Sequence, residues 1–230
     1  CTFDNNGANR SAGAIYVNNC SYVSIDNSIF ENNQVNYSGG AIYFDGDNGV
    51  ISNSNFTKNK ARYNGAACMN GENGNVVNCV FTDNLATESA GALGWERKGN
   101  GIIEKCTFTN NTAPIGGAVY QNSAINVSIL NSIFESNTAS KDGGAVFWDN
   151  GTEGRIIGSS FKSNNASYGG AITCENENLT ITNCNFMDNI ASRHGGAIFF
   201  NNTGIVENCN FTYNNATKGN GGAVWIRLGS

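Results

Sequence analysis

Asn183-Cys184-Asn185-Phe186-Met187-Asp188-Asn189-Ile190-Ala191, followed after a short gap by Gly195-Gly196-Ala197-Ile198, is one copy of a pattern that fills the whole chain. Its fixed points are Asn-Cys/Ser-x-Phe-x-x-Asn-x-Ala and then a small-residue box, Gly-Gly-Ala plus an aliphatic residue. The phenylalanine recurs at 3, 30, 56, 81, 108, 134, 161, 186 and 211, at intervals of 25 to 27 residues. Each is followed three residues later by an asparagine: Asn6, Asn33, Asn59, Asn84, Asn111, Asn137, Asn164, Asn189 and Asn214. The box ends at Ala14, Ala41, Ala67, Ala92, Ala118, Ala145, Ala171, Ala197 and Ala223. A fixed period along the entire chain is the mark of a solenoid, in which each repeat buries its apolar face only against its neighbours. Residues 1–230 therefore read as a single repeat domain, beginning mid-repeat as a fragment of something longer would.

Asparagine, glycine, serine and threonine fall too densely for the helix pairs of an α-solenoid. The apolar positions alternate in twos, as strands do. In one repeat Leu179 and Ile181 face one way, and Cys184 and Phe186 continue that face only if the chain bends between them. Asn183 sits at the slip, and asparagine tolerates the left-handed conformation such a bend requires. Asn27, Asn53, Asn78, Asn131 and Asn208 hold the same slot, Gly158 is compatible with it, and Lys105 departs from it. The expectation is all-β: a parallel β-helix of about nine coils with three short strands per coil. Phenylalanine would form an inner column, each buried ring contributing roughly 1.5–3 kcal/mol. The Phe-x-x-Asn amides would form a ladder, because a buried amide must be paired.

Composition narrows the function classes. A net charge of −5 leaves no basic footprint for nucleic acid. No apolar run reaches the ~18 residues of a spanning helix, so no direct membrane insertion is expected in this segment. Cys1, Cys79, Cys106, Cys184 and Cys209 alternate with Ser28, Ser54, Ser132 and Ser159 in one slot. That exchange reads as a small inward side chain holding a thiol, although Cys79/Cys106 and Cys184/Cys209 fall on adjacent coils. No Cys/His cluster has zinc spacing, and the one histidine, His194, reads as a turn residue.

Two columns beside the box carry the binding candidates. Two residues after the box alanine come Tyr16, Tyr43, Met69, Gly94, Tyr120, Phe147, Thr173, Phe199 and Trp225. If the aliphatic column before it faces in, alternation puts Tyr16, Tyr43, Tyr120, Phe147, Phe199 and Trp225 outside as a platform for sugar rings or a partner surface. If the phase is reversed, they are core. Four residues after the alanine come Asn18, Asp45, Gly71, Glu96, Asn122, Asp149, Glu175, Asn201 and Arg227. Asp149 and Glu175 fall on neighbouring coils, a spacing open to a retaining glycosidase pair, a calcium site or a solvated rim. No other cofactor is expected. Sequons such as Asn55-Phe56-Thr57, Asn126-Val127-Ser128, Asn178-Leu179-Thr180 and Asn215-Ala216-Thr217 permit glycosylation.

Phe-x-x-Asn coupled to boxes such as Gly39-Gly40-Ala41-Ile42, Gly116-Gly117-Ala118-Val119 and Gly195-Gly196-Ala197-Ile198 resembles the repeats of chlamydial polymorphic outer-membrane proteins. It is also similar to repeats in adhesin-like surface proteins of methanogenic archaea. The resemblance covers the whole chain and implies a right-handed β-helix on a secreted or surface-exposed stalk. It implies a non-enzymatic adhesin, its partner a receptor or glycan on a host or neighbouring cell. The alternatives are a carbohydrate-active or carbohydrate-binding β-helix using the face after the box, and a module that self-associates end to end.

Overall fold

The computed structural model describes residues 1–96, 98–175 and 179–227. Among these residues the strands form four parallel sheets of nine, nine, nine and eight members, and the chain visits them in turn. That makes eight complete turns and three strands of a ninth. The sequence pattern predicts three strands per coil, and there are four. The extra strand is the Asn-x-Ala segment, for example Lys60–Tyr63 and Asn165–Tyr168. It shows one inward position, its alanine, before the variable gap, too little alternation to register as a strand in sequence.

The first sheet carries the phenylalanines, directly opposite one another in register. Their rings stack from Phe3 to Phe211 with centroids 4.7–4.9 Å apart and planes within 7°. The second sheet points Ala61, Ala86, Ala113, Ala139, Ala166 and Ala191 inward, all buried. The third, after the box, supplies Ile42, Leu93, Val119, Val146, Ile172 and Ile198, and the fourth supplies Ile51, Val76, Ile103, Ile129, Ile156 and Ile181. Four walls of alternating residues thus close on one continuous core.

The asparagine ladder runs from Asn6 to Asn214. Asn111 shows the unit: its Nδ2 donates to Asn137 Oδ1 (3.0 Å) and to the Phe81 carbonyl (2.9 Å). Its Oδ1 accepts from both the backbone N–H and the Nδ2 of Asn84, each at 3.0 Å. Every polar valence of a fully buried amide is used, which is what burial demands. The Cys/Ser slot behaves similarly. Ser132 Oγ donates to the Leu130 carbonyl (2.8 Å) and accepts the Cys106 N–H (3.1 Å), while Cys184 Sγ accepts the Ser159 N–H (3.4 Å). Thiol and hydroxyl do the same work there, so they exchange; no two cysteines are bridged.

Left-handed residues turn the corners. Asn27, Asn53, Asn78, Asn131, Asn183 and Asn208 have φ between 47° and 55°, and Lys105 adopts φ 52° in the same slot. A second such column follows the phenylalanine at Asn5, Asn32, Lys58, Asp83, Asn110, Ser136, Ser163, Asp188 and Tyr213. The two glycines of the box have different duties. The first turns the corner at positive φ, as at Gly116 (φ 61°). The second allows close stacking: a Cβ on Gly117 would lie 2.0 Å from the Gly144 carbonyl oxygen.

One box is displaced from its expected register. The Ala41 N–H donates to the Ala66 carbonyl, and Ala67 pairs with Ile42. The third box is therefore Asn64-Gly65-Ala66, with Asn64 at φ 56° as the corner residue. Cys68, not Met69, stands in the column of Tyr43, and Asn70, not Gly71, donates to Asp45 (3.4 Å) as its stacked partner.

Candidate functional site

In the third sheet Ile42 and Phe44 are buried and Tyr43 between them is half-buried, so the column after the aliphatic one points outward. It is not an open stripe, however. In six successive coils the second-sheet strand runs past its alanine, ending at Tyr63, Ser89, Ile115, Asp142, Tyr168 and His194. These end residues pair with one another from coil to coil. They form a lip over the column. Tyr168 lies 5.5 Å from Phe199, and His194 stacks on Trp225 at 4.0 Å. Phe147 (6%) and Phe199 (3%) are consequently buried and provide no platform, Tyr120 and Trp225 are half-covered, and Tyr16 is exposed (52%). His194 accepts the Asn220 N–H on Nδ1 (2.9 Å), which makes it part of this packing.

Where the column loses its aromatics, a cleft opens. Tyr43, Cys68, Gly94 and Tyr120 succeed one another, so two small residues separate two tyrosines. The cleft is about 390 Å³ and is lined by Tyr37, Tyr43, Tyr63 and Tyr120, with Glu88 and Glu96 among its polar groups. A second hollow beside Arg10 and Tyr16 continues it past Tyr37 and Tyr43. Tyr16 and Tyr43 stack at 5.1 Å and 7°, giving the hollow a flat aromatic wall.

Glu96 Oε1 accepts from Asn64 Nδ2 (2.9 Å), which also donates to Ser38 Oγ (3.0 Å). Burial pushes the Tyr43 hydroxyl well above its ordinary pKa, with Cys68, Glu96 and Asp45 adding to the shift. Tyr120 is raised by burial and by Asp149, whose Oδ2 accepts its hydroxyl at 3.0 Å. Burial, followed by Glu96, raises the Cys68 thiol.

Asp149 and Glu175 do fall on neighbouring coils, the Glu175 N–H bonding the Trp148 carbonyl. Both carboxylates have amide partners, Asp149 in Asn150 (2.7 Å) and Glu175 in Asn201 (2.5 Å). Among the described residues no set of three or more His, Cys, Asp or Glu side chains converges as a metal-ligand group. Asp142, which carries no sequence signal, is raised to about 6 by burial and then by Glu175. Of the sequon asparagines, Asn55 and Asn215 are exposed, Asn126 is half-buried, and Asn178 lies outside the described residues.

The profile of the family described as the right-handed β-helix region matches residues 1–111 and 68–230, two overlapping stretches that cover the chain. The chain belongs to the right-handed β-helix family. No curated protein and no solved structure gives a significant match. Membership of the right-handed β-helix family settles the winding and the repeat architecture. The fold carries adhesins and carbohydrate-active enzymes alike, so the use of the cleft has to be argued from its residues.

Proposed function

We propose that this β-helix is a non-enzymatic binding scaffold of the cell surface, an adhesin or adhesive stalk. The observation that carries this reading is the tyrosine-lined cleft, with its flat Tyr16–Tyr43 extension, mounted on a rod stiffened by two uninterrupted side-chain columns. Large amphipathic rings held rigidly at a surface bind partners at low entropic cost. The similarity of the repeats to those of polymorphic outer-membrane proteins and archaeal adhesin-like proteins favours the same assignment. The partner class is a receptor or glycan on another cell, and the site residues are Tyr16, Tyr43 and Tyr120 of the original column joined by Tyr37 and Tyr63.

The test is a glycan array and a cell-binding assay with the purified chain, with reducing-sugar release measured on every positive. Retained binding without product release supports the scaffold reading. Loss of binding in Tyr43→Ala with the circular dichroism spectrum unchanged assigns it to the cleft. Turnover of any positive would overturn the non-enzymatic assignment.

A carbohydrate-active reading has one observation of its own. Asp142 is raised to about 6 by burial and then by the charge of Glu175, and a carboxyl with a raised pKa near a second carboxyl is what a general acid on a glycosidic bond uses. Product release abolished by Asp142→Asn or Glu175→Gln would establish it.

A further inference from the structure

Three features of the cleft bear on what it takes. The first is aromatic enclosure. Tyr37, Tyr43, Tyr63 and Tyr120 line one cavity, and ring faces attract cations. The same surface already uses this attraction. Arg62 lies over Tyr63 (5.1 Å), Arg193 over Tyr168 (5.4 Å) and Arg227 over Phe199 and Trp225 (5.8 and 5.9 Å). Among the described residues those are the cation–ring contacts, and they leave Tyr37, Tyr43 and Tyr120 without one.

The second is charge. Glu88 and Glu96 line the cleft, and Asp45 and Asp149 flank it through Asn70 and Tyr120. Arg62 pairs with Glu88 at 3.6 Å, but both are half exposed, so solvent screens that pair. Arg10 belongs to the adjoining hollow, beyond Tyr37 and Tyr43. Glu96 is held by an amide and faces no described cation.

The third is an unsatisfied acceptor. Oδ1 of Asn70, which lines the cavity, has no hydrogen-bond partner. Buried acceptors are normally satisfied, so this oxygen favours a guest that brings an N–H or O–H group. A neutral apolar guest would leave it as it is.

We propose that the cleft between Tyr43 and Tyr120 is a site for an organic ammonium ion, seated on the tyrosine rings with Glu96 as its counter-charge. A cavity of about 390 Å³ suits a small head group such as a choline or one amino-sugar ring. This deepens the scaffold reading and rests on it, because it names the chemistry of the ligand displayed on the opposing surface.

The experiment is calorimetric and NMR titration of the intact chain with four probes: choline, glucosamine, Nα-acetyl-lysine methyl ester and, as the neutral control, N-acetylglucosamine. Saturable binding of at least one ammonium probe is expected, with shifts at the amides of Tyr43, Gly94 and Tyr120. The neutral control should bind at least tenfold more weakly. Whichever of choline, the amino sugar or the lysine ester binds tightest identifies the source of the ammonium. Glu96→Gln keeps an acceptor for Asn64, so it preserves the fold while removing the charge, and it should weaken binding at least tenfold. Tyr43→Leu provides a second variant that changes the ring and not the charge, and it should also weaken binding. Equal binding of neutral and cationic sugars, binding unaffected by Glu96→Gln, or no saturable binding of any ammonium probe would overturn the proposal. Cell binding by the Glu96→Gln protein equal to that of the parent would overturn it while leaving the scaffold reading intact. Absence of cell binding by the parent would remove the scaffold reading itself.

Discussion

Removing one rung from the middle of the asparagine ladder tests the physical basis of the rod. In Asn111→Ala four hydrogen bonds disappear. The Asn84 backbone N–H loses its Oδ1 acceptor in a buried setting, which costs about 1–3 kcal/mol. The other three bonds cost about 0.5–1.5 kcal/mol each, since Asn84 Nδ2 keeps the Phe56 carbonyl and Asn137 Oδ1 keeps the Asn111 N–H. The expected loss is about 2.5–7.5 kcal/mol. Asn6→Ala at the first coil makes the internal comparison. Its side chain contributes one bond, to Asn33 Oδ1, and that oxygen keeps the Asn6 N–H. Its loss should be about 0.5–1.5 kcal/mol. Urea unfolding followed by the fluorescence of Trp95 and Trp148, both fully buried, reads the difference. If the two variants lose equal stability, or Asn111→Ala loses less than about 1 kcal/mol, the ladder is not what secures the coils.

Three further expectations follow from other features. Lys105 occupies a left-handed corner and, with its side chain largely exposed, pairs among the described residues with its neighbour Glu104, so Lys105→Asn should raise stability by about 0.5–1 kcal/mol in the same urea assay. Gly117→Ala drives a Cβ to within 2.0 Å of the Gly144 carbonyl oxygen and should cost about 3 kcal/mol or more, read as a lowered melting temperature. The raised Asp142 favours the protonated form in the folded state, so its contribution is fully present below the unfolded pKa near 3.8 and is lost as pH rises towards about 6. A melting temperature that climbs on acidification from pH 7 to pH 5, with a flatter climb in Asp142→Asn, is the expected result.

The columns were legible because each depends on one residue type at a fixed period. Phe186 and Asn189 have one inward place per coil, and a parallel stack repeats that place without drift. The corner at Asn183 was legible for the same reason, and Lys105 shows that geometry overrides propensity when the seven other coils impose the bend. The fourth sheet was not legible, since Ala166 alone of its strand enters the core. Nor was the lip. Alternation left Phe199 either outward or core, and it carries no information on Tyr168 crossing over it from another sheet. The cleft escaped for a subtler reason. It is made by what Cys68 and Gly94 lack, and the register placing Cys68 there depends on Asn64 standing in for a glycine. The carboxylate that faces it, Glu96, was in view as part of a column, without anything to separate it from Asp149 or Glu175.

The ladder's unit has a property that reaches beyond stability. Each amide offers its upper neighbour what it receives from its lower one, and the second glycine of each box leaves the same notch for the carbonyl arriving next. Top and bottom of a turn are therefore mating surfaces of one gauge. A duplicated repeat inserted between Asn137 and Asn164 would find both of its contacts ready-made, so such a chain can grow longer or shorter by whole turns without inventing a new joint.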